Sequence, residues 1–579
     1  MAGAHAKPAG ERRIPPFAPP PPDTKAVAAD RGQGRLADVA RGGTLNLAGA
    51  ALAAIASIGV TVLVTRHFSK PVAGAFFTAI SLFLIVEAAA SLGGYVGLVN
   101  FIAGLRSLGQ ESRIPAILRA AVVPVVVASV LAAAAMVLTA GPLARLVLSG
   151  HLAHAGADPA TLARALRALA LALPFAALLD TFLGASRGYR DMRPTVVVDR
   201  IGRSGLQFLG IFVAVGLGGV SLLAPLWAVS YIPAAAVAWL WLRRIRRNPG
   251  LRPADVRGNG TSGPARARAG LVSPGRRGQA NLASKPLARA NARGFWRFTT
   301  PRAVAILAQS TIQRLDIVLV AIIRGPADAA IYTAATRFLV AGQFGNTAIS
   351  MAAQPRFAEL FTIGDRRGAN VVYQTTTCWL ILLTWPMYLL AVIYGPEVLT
   401  VFGHSYRAGG TVMVILGCAM LVSTACGQVD MVLITTGRSG WSLANGLAAV
   451  GVNVALDLLL IPRYGITGAA IGWAAAIAVT NLAALVQLAV STKVQPFGRG
   501  ALVALGLSGI SFCVIPLLGR AIAGGGAVTS VVSVAVGCVV VLAGLWRFRS
   551  VLQLSAMPGP SFMRRITGGS SRTGQVRPQ

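Results

Sequence analysis

Residues 71–83 read PVAGAFFTAISLF, and 255 positions further on residues 326–338 read PADAAIYTAATRF, with five identities and Phe/Tyr and Ser/Thr exchanges in a gapless alignment. Two weaker matches follow in the same order at nearly the same offset. Gly141-Pro142 corresponds to Gly395-Pro396, and DTFLGASRG (180–188) to DMVLITTGR (430–438). An offset of this size is much larger than the periods of about 20–50 residues found in solenoids, so the chain carries two large copies of one unit. Composition says what kind of unit. Of 579 residues 55% are hydrophobic and 12% charged, and the mean hydropathy is +0.66, whereas soluble domains carry about 25% charged residues. The chain is a polytopic membrane protein.

A helix crosses the hydrocarbon with about 20 predominantly apolar residues. Fourteen such segments fall between residues 43 and 546: six before residue 242, six within 302–490 and two after 500. Segments 197–217 and 329–351 are the fifth and eighth. Six spans return the chain to the side on which it began, so the two copies are parallel repeats about an axis along the membrane normal, with substrate handled between them. The expected fold is all-α, with two six-helix lobes and two extra C-terminal helices. Its parts are a Pro-rich, disordered cytoplasmic tail (1–42), an N-lobe (43–242), a basic cytoplasmic linker (243–301), a C-lobe (302–490), the final helix pair (491–546) and a basic cytoplasmic tail (547–579).

The formal charge is +35, from 53 Lys and Arg against 18 Asp and Glu. With a cytoplasmic N-terminus, 42 of the 53 basic residues fall on the inner side and 9 on the outer, as the positive-inside bias requires. Trp239, Trp241, Trp296, Trp441 and Trp546 fall at predicted inner edges, and Tyr394, Tyr406 and Tyr464 at outer ones, matching interfacial aromatic belts. The charge therefore needs no nucleic acid, and a cell membrane with both termini cytoplasmic is expected. No Gly-Lys dipeptide occurs, so a phosphate-cradling P-loop is excluded. Cys378, Cys418, Cys426, Cys513 and Cys538 sit in apolar runs with no CxxC spacing, and the HLAH pair at 151–154 has no third ligand, so no metal and no cofactor are expected. Paired catalytic carboxylates and Ser/His/Asp sets do not stand out, and the predicted outer loops are short, so an enzyme is not expected.

What remains is charge inside the membrane, where an Arg or Asp at the centre costs about 2.5–3.5 kcal/mol on insertion scales. Span 7 carries Gln313, Arg314 and Asp316, and span 8 carries Arg337. Counting from the outer ends at 1.5 Å per residue puts both arginines about 12–13 Å deep. Two guanidiniums at one depth repel unless an anion or water separates them, and their forked donors suit phosphate or diphosphate. Alternatively, Asp316 pairs with one of them and the other faces water. Asn346, with Gln343 and Gln354, lies along a wetted face of span 8. Asp180 and Asp430 occupy matching places in the repeat and either bind a coupling ion or pair with Arg187 and Arg438. Glu87, with no basic partner on its own span, is a candidate protonatable coupling group. Asn453 and Asp457 are four apart on span 11, with Asp457 expected near the outer interface.

RGGTLNLAG (41–49), FSKPVAGAFFTAISLF (68–83), QRLDIVLVAIIRGPADAAIYTAATRF (313–338), QPRFAELFTIGDRRGA (354–369) and LLLIPRYGITGAAIGWAAA (458–476) resemble the Wzx-type polysaccharide flippases of the multidrug/oligosaccharidyl-lipid/polysaccharide (MOP) exporter superfamily. The resemblance covers about residues 41–490, and IPRYGITGAAIG is its most specific part. It implies a V-shaped, MATE/MOP-like transporter that moves a polyprenyl-diphosphate-linked oligosaccharide outward by alternating access, for cell-surface polysaccharide biosynthesis. Arg314 and Arg337 correspond loosely to cavity cations of the family. The expected partners are that lipid-linked glycan, membrane lipids, and glycosyltransferases or a polymerase of the same pathway, with the protein itself a monomer. The alternatives are a lipid II flippase and a MATE-like ion-coupled antiporter of cationic drugs, the latter expected to have an acidic cavity. The long basic linker and the Pro-rich tail depart from the family pattern.

Overall fold

The structure, a computed structural model, describes residues 48–148, 158–247, 292–524 and 526–553. The Pro-rich tail, the HLAH pair, most of the basic linker and the end of the C-terminal tail lie outside these residues. Within them the protein is all-helical. The first half contains α1 (Ala48–His67), α2 (Lys70–Ala90), α3 (Gly94–Ser107), α4 (Ile114–Leu148), α5 (Pro159–Gly188), α6 (Ser204–Gly216), α7 (Leu223–Ala228) and α8 (Tyr231–Arg247). The second contains α9 (Ala292–Arg324), α10 (Pro326–Ala341), α11 (Gln343–Ile363), α12 (Arg366–Leu399), α13 (Gly410–Ala425), α14 (Val429–Thr435), α15 (Ser439–Tyr464) and α16 (Ile466–Thr492). Then come α17 (Arg499–Gly509), α18 (Ile515–Ala523) and α19 (Ala527–Arg547).

Twelve helices are long and apolar enough to cross a membrane, against fourteen spans expected from the sequence. The difference lies at segments 197–217 and 329–351. In the first, a nine-residue π-helical stretch, Thr195–Arg203, precedes α6; in the second, the helix breaks at Gly342 between α10 and α11. The repeat partner of that broken element is broken too, at Leu92 and Gly93, which have φ of 48° and 62°. The same helix is thus discontinuous in both copies, and discontinuous helices are where transporters of repeat architecture place their sites. Local chemistry accounts for several helix starts. Asp158 Oδ1 accepts from Ala160 N at 3.0 Å at the head of α5, and Asp365 Oδ1 accepts from Gly368 N at 2.8 Å at the head of α12; both carboxylates satisfy otherwise orphaned amides.

Near the predicted outer face, one continuous apolar core joins both halves, from Val64 and Phe77 through Leu173 to Val320, Tyr332, Phe402 and Met413. Toward the predicted inner face the halves have separate cores among the described residues. The first half has one, built from Leu98, Phe101, Ile117 and Ile245; the second has one around Phe357, Tyr373, Val432 and Leu488 and another around Trp379, Leu380, Ala504 and Leu552. The lobes therefore meet at one end and part at the other, and the cleft between them opens toward the predicted inner face. α9 belongs to both. Its first turns sit on the first half, where Phe295 is buried against Phe101 and Trp296 Nε1 donates to Ala120 O at 3.1 Å. Ser310 Oγ then donates to Leu84 O at 3.3 Å, and residues 317–321 join the shared core. The linker expected to run to 301 is for this reason already helical from Ala292, because Phe295 and Trp296 bury themselves on the neighbouring lobe. At the C-terminus, Trp379 Nε1 donates to Leu552 O at 3.1 Å and Leu552 is buried, so the chain stays packed past the expected boundary at 547.

The joint at the closed end is formed by the two repeated segments themselves. α2 packs on α10, and a Cβ placed on Gly74 would collide with the carbonyl of Pro326. Small residues let membrane helices approach in this way. Beside the joint, Arg66 donates from Nε to Val401 O at 2.7 Å and from Nη2 to Thr400 O at 2.8 Å, holding α1 to the carbonyl end of α12. Arg520 of α18 grips the same end through Ile393 O at 2.7 Å and Glu397 Oε1 at 2.8 Å, where α12 kinks at Tyr394 before Pro396.

The expected outcome of Gly74→Leu, and more mildly of Arg66→Ala, is separation of the lobes at the predicted outer face. Spin labels on exposed Leu146 and Tyr464, with exposed Cys418 and Cys538 replaced by Ser, should move apart by dipolar spectroscopy. An unchanged distance distribution in both variants would contradict this account of the joint.

Candidate functional site

Three sets of polar side chains lie within the bundle. Arg314 lies ten residues before the end of α9 and Arg337 eleven after the start of α10, so both are about 15 Å from that end of the bundle. Both are half-buried, and they are close enough for their charges to repel. Among the described residues neither makes an ion pair, and Arg337 Nε is buried without a hydrogen-bond partner. Tyr231 on α8 and Glu87 on α2 are the groups that partly offset the charge of Arg314. Two guanidiniums held together in a site of low dielectric, with donor capacity unspent, are arranged to receive an anion.

Glu87 and Asp180 are brought together in the first lobe, close enough for their carboxyls to interact. Two buried carboxyls at this range favour a proton on one of them. The sequence did not show this pairing, because the residues are on α2 and α5. Next to them is an array on the π-helical stretch: Arg203 Nε donates to Asp199 Oδ1 at 2.6 Å and Nη1 to Gln207 Oε1 at 3.1 Å, with the guanidinium 5.1 Å from the centre of the Tyr231 ring. Arg203 is one of the 42 basic residues that the count by side puts on the inner side; the i, i+4 spacing of Asp199 and Arg203 in DRIGR is the signal that could have placed it inside the bundle. Arg187 stacks over Tyr95, with 5.5 Å from its guanidinium carbon to the ring centre.

Asp316 does not join the arginines. It is buried in the second lobe, where its Oδ2 accepts from Tyr332 OH at 2.7 Å, and its carboxyl is within hydrogen-bonding reach of Asp457. Asp457 is fully buried rather than at the outer interface, and accepts from Asn453 Nδ2 at 3.3 Å. A Cβ on Gly472 would strike Asp457 Oδ1, so α16 comes this close only because residue 472 is glycine. Asp316 Oδ1, Asn453 Oδ1 and Asp457 Oδ1 are all buried without a partner. Three orphaned acceptors, two of them carboxyl oxygens and one an amide oxygen, can hold a shared proton or a dehydrated monovalent cation. Nothing in the local sequence joins residues 316 and 457.

The other expected site residues are dispersed. Gln313 is exposed. Asn346 is exposed too, and its side-chain and backbone oxygens accept from buried Gln428, which also accepts from Ser350; Gln428 thus ties the broken α13–α14 helix to α11. Asp430 is exposed and accepts from Ser442 Oγ at 2.6 Å, while Arg438 stacks on Trp441. The repeat-related aspartates therefore differ: Asp180 is in the charged set and Asp430 at the rim.

Comparison with known proteins bears on this arrangement. The family model described as MatE matches residues 301–459. No curated protein matches by sequence. Among solved structures, the lipid II flippase MurJ in an inward closed conformation superposes with a TM-score of 0.62 at 13% identity, covering 86% of this chain and 98% of that one. A multidrug resistance MATE family transporter of the MOP superfamily, inward-facing, gives 0.57 at 14% identity, covering 76% and 96%. A MOP superfamily transporter from Pyrococcus furiosus, titled for the reverse polarity of its binding pocket, gives 0.51 at 16% identity, covering 79% and 96%. The fold is thus that of MATE/MOP transporters.

A cation held by the Asp316, Asn453 and Asp457 oxygens should stabilise the folded state by mass action, about 2.7 kcal/mol at a hundredfold excess over Kd. The expected result is a rise in Tm of the purified protein when potassium is replaced by sodium or lithium, or a rise on mild acidification if the pair holds a proton. Either response should vanish in Asp457→Ala and in Gly472→Val. A Tm in these variants that still follows the same ion would remove the cluster as the ion's seat.

Proposed function

We propose that this protein flips a polyprenyl-diphosphate-linked oligosaccharide from the cytoplasmic to the outer leaflet of the cell membrane by alternating access. One observation carries the reading: Arg314 and Arg337 are half-buried, close enough for their charges to repel, and make no ion pair among the described residues. A lipid-linked glycan has a hydrated diphosphate that needs cationic, forked donors, and an apolar tail that stays in lipid while the head is carried between parted lobes. The joint at Gly74 and Pro326 closes the outer side in this state, and transport requires it to open as the inner cores come together. The Asp316–Asn453–Asp457 cluster and the Glu87–Asp180 pair serve the coupling ion, whose differential binding to the two states supplies the bias. Glycosyltransferases or a polymerase of the same pathway are the partners that fit this role.

A second reading, antiport of a cationic compound, is favoured by the carboxyls Glu87, Asp180 and Asp199 in the first lobe. Depleting the protein and measuring polyprenyl-diphosphate-linked oligosaccharides by mass spectrometry separates the two. Accumulation of one complete intermediate on the cytoplasmic side is expected and would identify the cargo; unchanged lipid pools with altered resistance to cationic dyes would favour antiport. Arg314→Ala and Arg337→Ala should each lower surface glycan about tenfold or more, the loss of a charge-assisted contact of ~1.5–3 kcal/mol, at near-normal protein abundance. Normal export in the double variant would sink the diphosphate assignment.

A further inference from the structure

Resting on the flippase reading, we propose that the first-lobe wall opposite the arginines is a sugar subsite, which binds the uncharged glycan ring next to the diphosphate through the array on the π-helical stretch. Three features of the wall lead there. The first is backbone geometry. A π-helical run of nine residues, Thr195–Arg203, is long for a feature normally limited to single turns and concentrated at functional sites. Here it aims Asp199 and Arg203 at Gln207 and Tyr231 inside a lobe otherwise filled with Ala, Leu and Phe.

The second feature is how this array spends its hydrogen bonds. Arg203 is taken up by Asp199 at 2.6 Å and by Gln207 Oε1 at 3.1 Å, with a weaker reach to Tyr231 OH at 3.5 Å. Because the Gln207 oxygen accepts from Arg203, its amide nitrogen points elsewhere, and that Nε2 has no partner in a side chain only 7% exposed. Glu87 Oε1 is likewise buried and unpartnered. The wall thus keeps one free donor and one free acceptor, while Asp199 and Arg203 remain about one-fifth exposed. A leftover donor and a leftover acceptor on one wall match hydroxyl groups, each of which both gives and takes a hydrogen bond. Leaving such groups orphaned costs stability, and a ligand that pairs both recovers it.

The third is charge. Asp199 neutralises Arg203, and the charge of Asp180 meets that of Arg187, so this wall offers no unspent cation to a diphosphate and suits a neutral polyhydroxyl group. Glu87 and Tyr231 are near enough to Arg314 to interact with its charge, so one ligand can meet both groups of residues: diphosphate on α9 and α10, first sugar on α2, α6 and α8. Specificity for the glycan then resides in the first lobe and recognition of the common lipid carrier in the second.

The test compares two probes on purified full-length protein by native mass spectrometry, undecaprenyl diphosphate and undecaprenyl-diphosphate-N-acetylglucosamine. Wild type should prefer the glycosylated probe by about fivefold, ~1 kcal/mol. Gln207→Leu should abolish the preference and leave affinity for bare undecaprenyl diphosphate unchanged, whereas Arg337→Ala should weaken both probes alike. Equal binding of the two probes by wild type, or equal weakening of both by Gln207→Leu, overturns the sugar subsite and leaves the flippase reading standing. Failure of wild type to bind either probe overturns the flippase reading and this inference with it.

Discussion

The contact of α2 with α10 at Gly74 and Pro326 is the joint on which the rest of the architecture depends. Lipid tails are as apolar as leucine, so membrane helices associate through close packing rather than through escape from water, and a glycine facing a backbone carbonyl permits the closest packing available. That contact merges the two halves into one core at one end. At the other end each half has its own core, and a cleft follows from the difference. α9 is pinned to the first lobe by Phe295 and Trp296 and to the shared core by residues 317–321. Between them Pro301 cannot donate to the carbonyl of Arg297, which leaves the helix least braced where a change of lobe angle must be absorbed.

Charge in the cleft is handled in two ways. Some groups are settled locally: Asp199 with Arg203, Asp316 with Tyr332 and Asp457, Glu87 with Asp180. Arg314 and Arg337 are not, and the absence of an ion pair for two half-buried guanidiniums is the departure from economy that marks a site. Carboxyls gather in the first lobe and unpaired guanidiniums in the second, and the proposed division of diphosphate and sugar recognition follows from that asymmetry.

Much of the fold was legible because bilayer thickness enforces long apolar runs and because the repeat survives at its joint. The two segments missing from the twelve long apolar helices are the polar ones: 197–217 carries Asp199, Arg200 and Arg203, and 329–351 carries Arg337, Gln343 and Asn346. Their apolar stretches read as spans, while the π-helical turns at Thr195–Arg203 and the break at Gly342 are backbone features that hydropathy does not register. Arg203 was assigned to the cytoplasmic edge for a related reason: counting basic residues by side treats any arginine near a span end as a loop residue. Asp457 was likewise assigned to an interface, since its partner is 141 positions away on α9 and its fit relies on the missing side chain of Gly472.

The sequence by itself determined that this is a helical membrane protein with two related halves, and that two arginines share a depth, because span length, charge bias and helix rise are one-dimensional quantities. Only the tertiary structure decided which buried groups meet. Asp316 turned from the arginines toward Asp457, Glu87 joined Asp180, and the repeat partners Asp180 and Asp430 separated into core and rim. Such pairings depend on the rotation of each helix about its own axis and on how closely small residues allow neighbours to approach, and both are set by packing between distant segments.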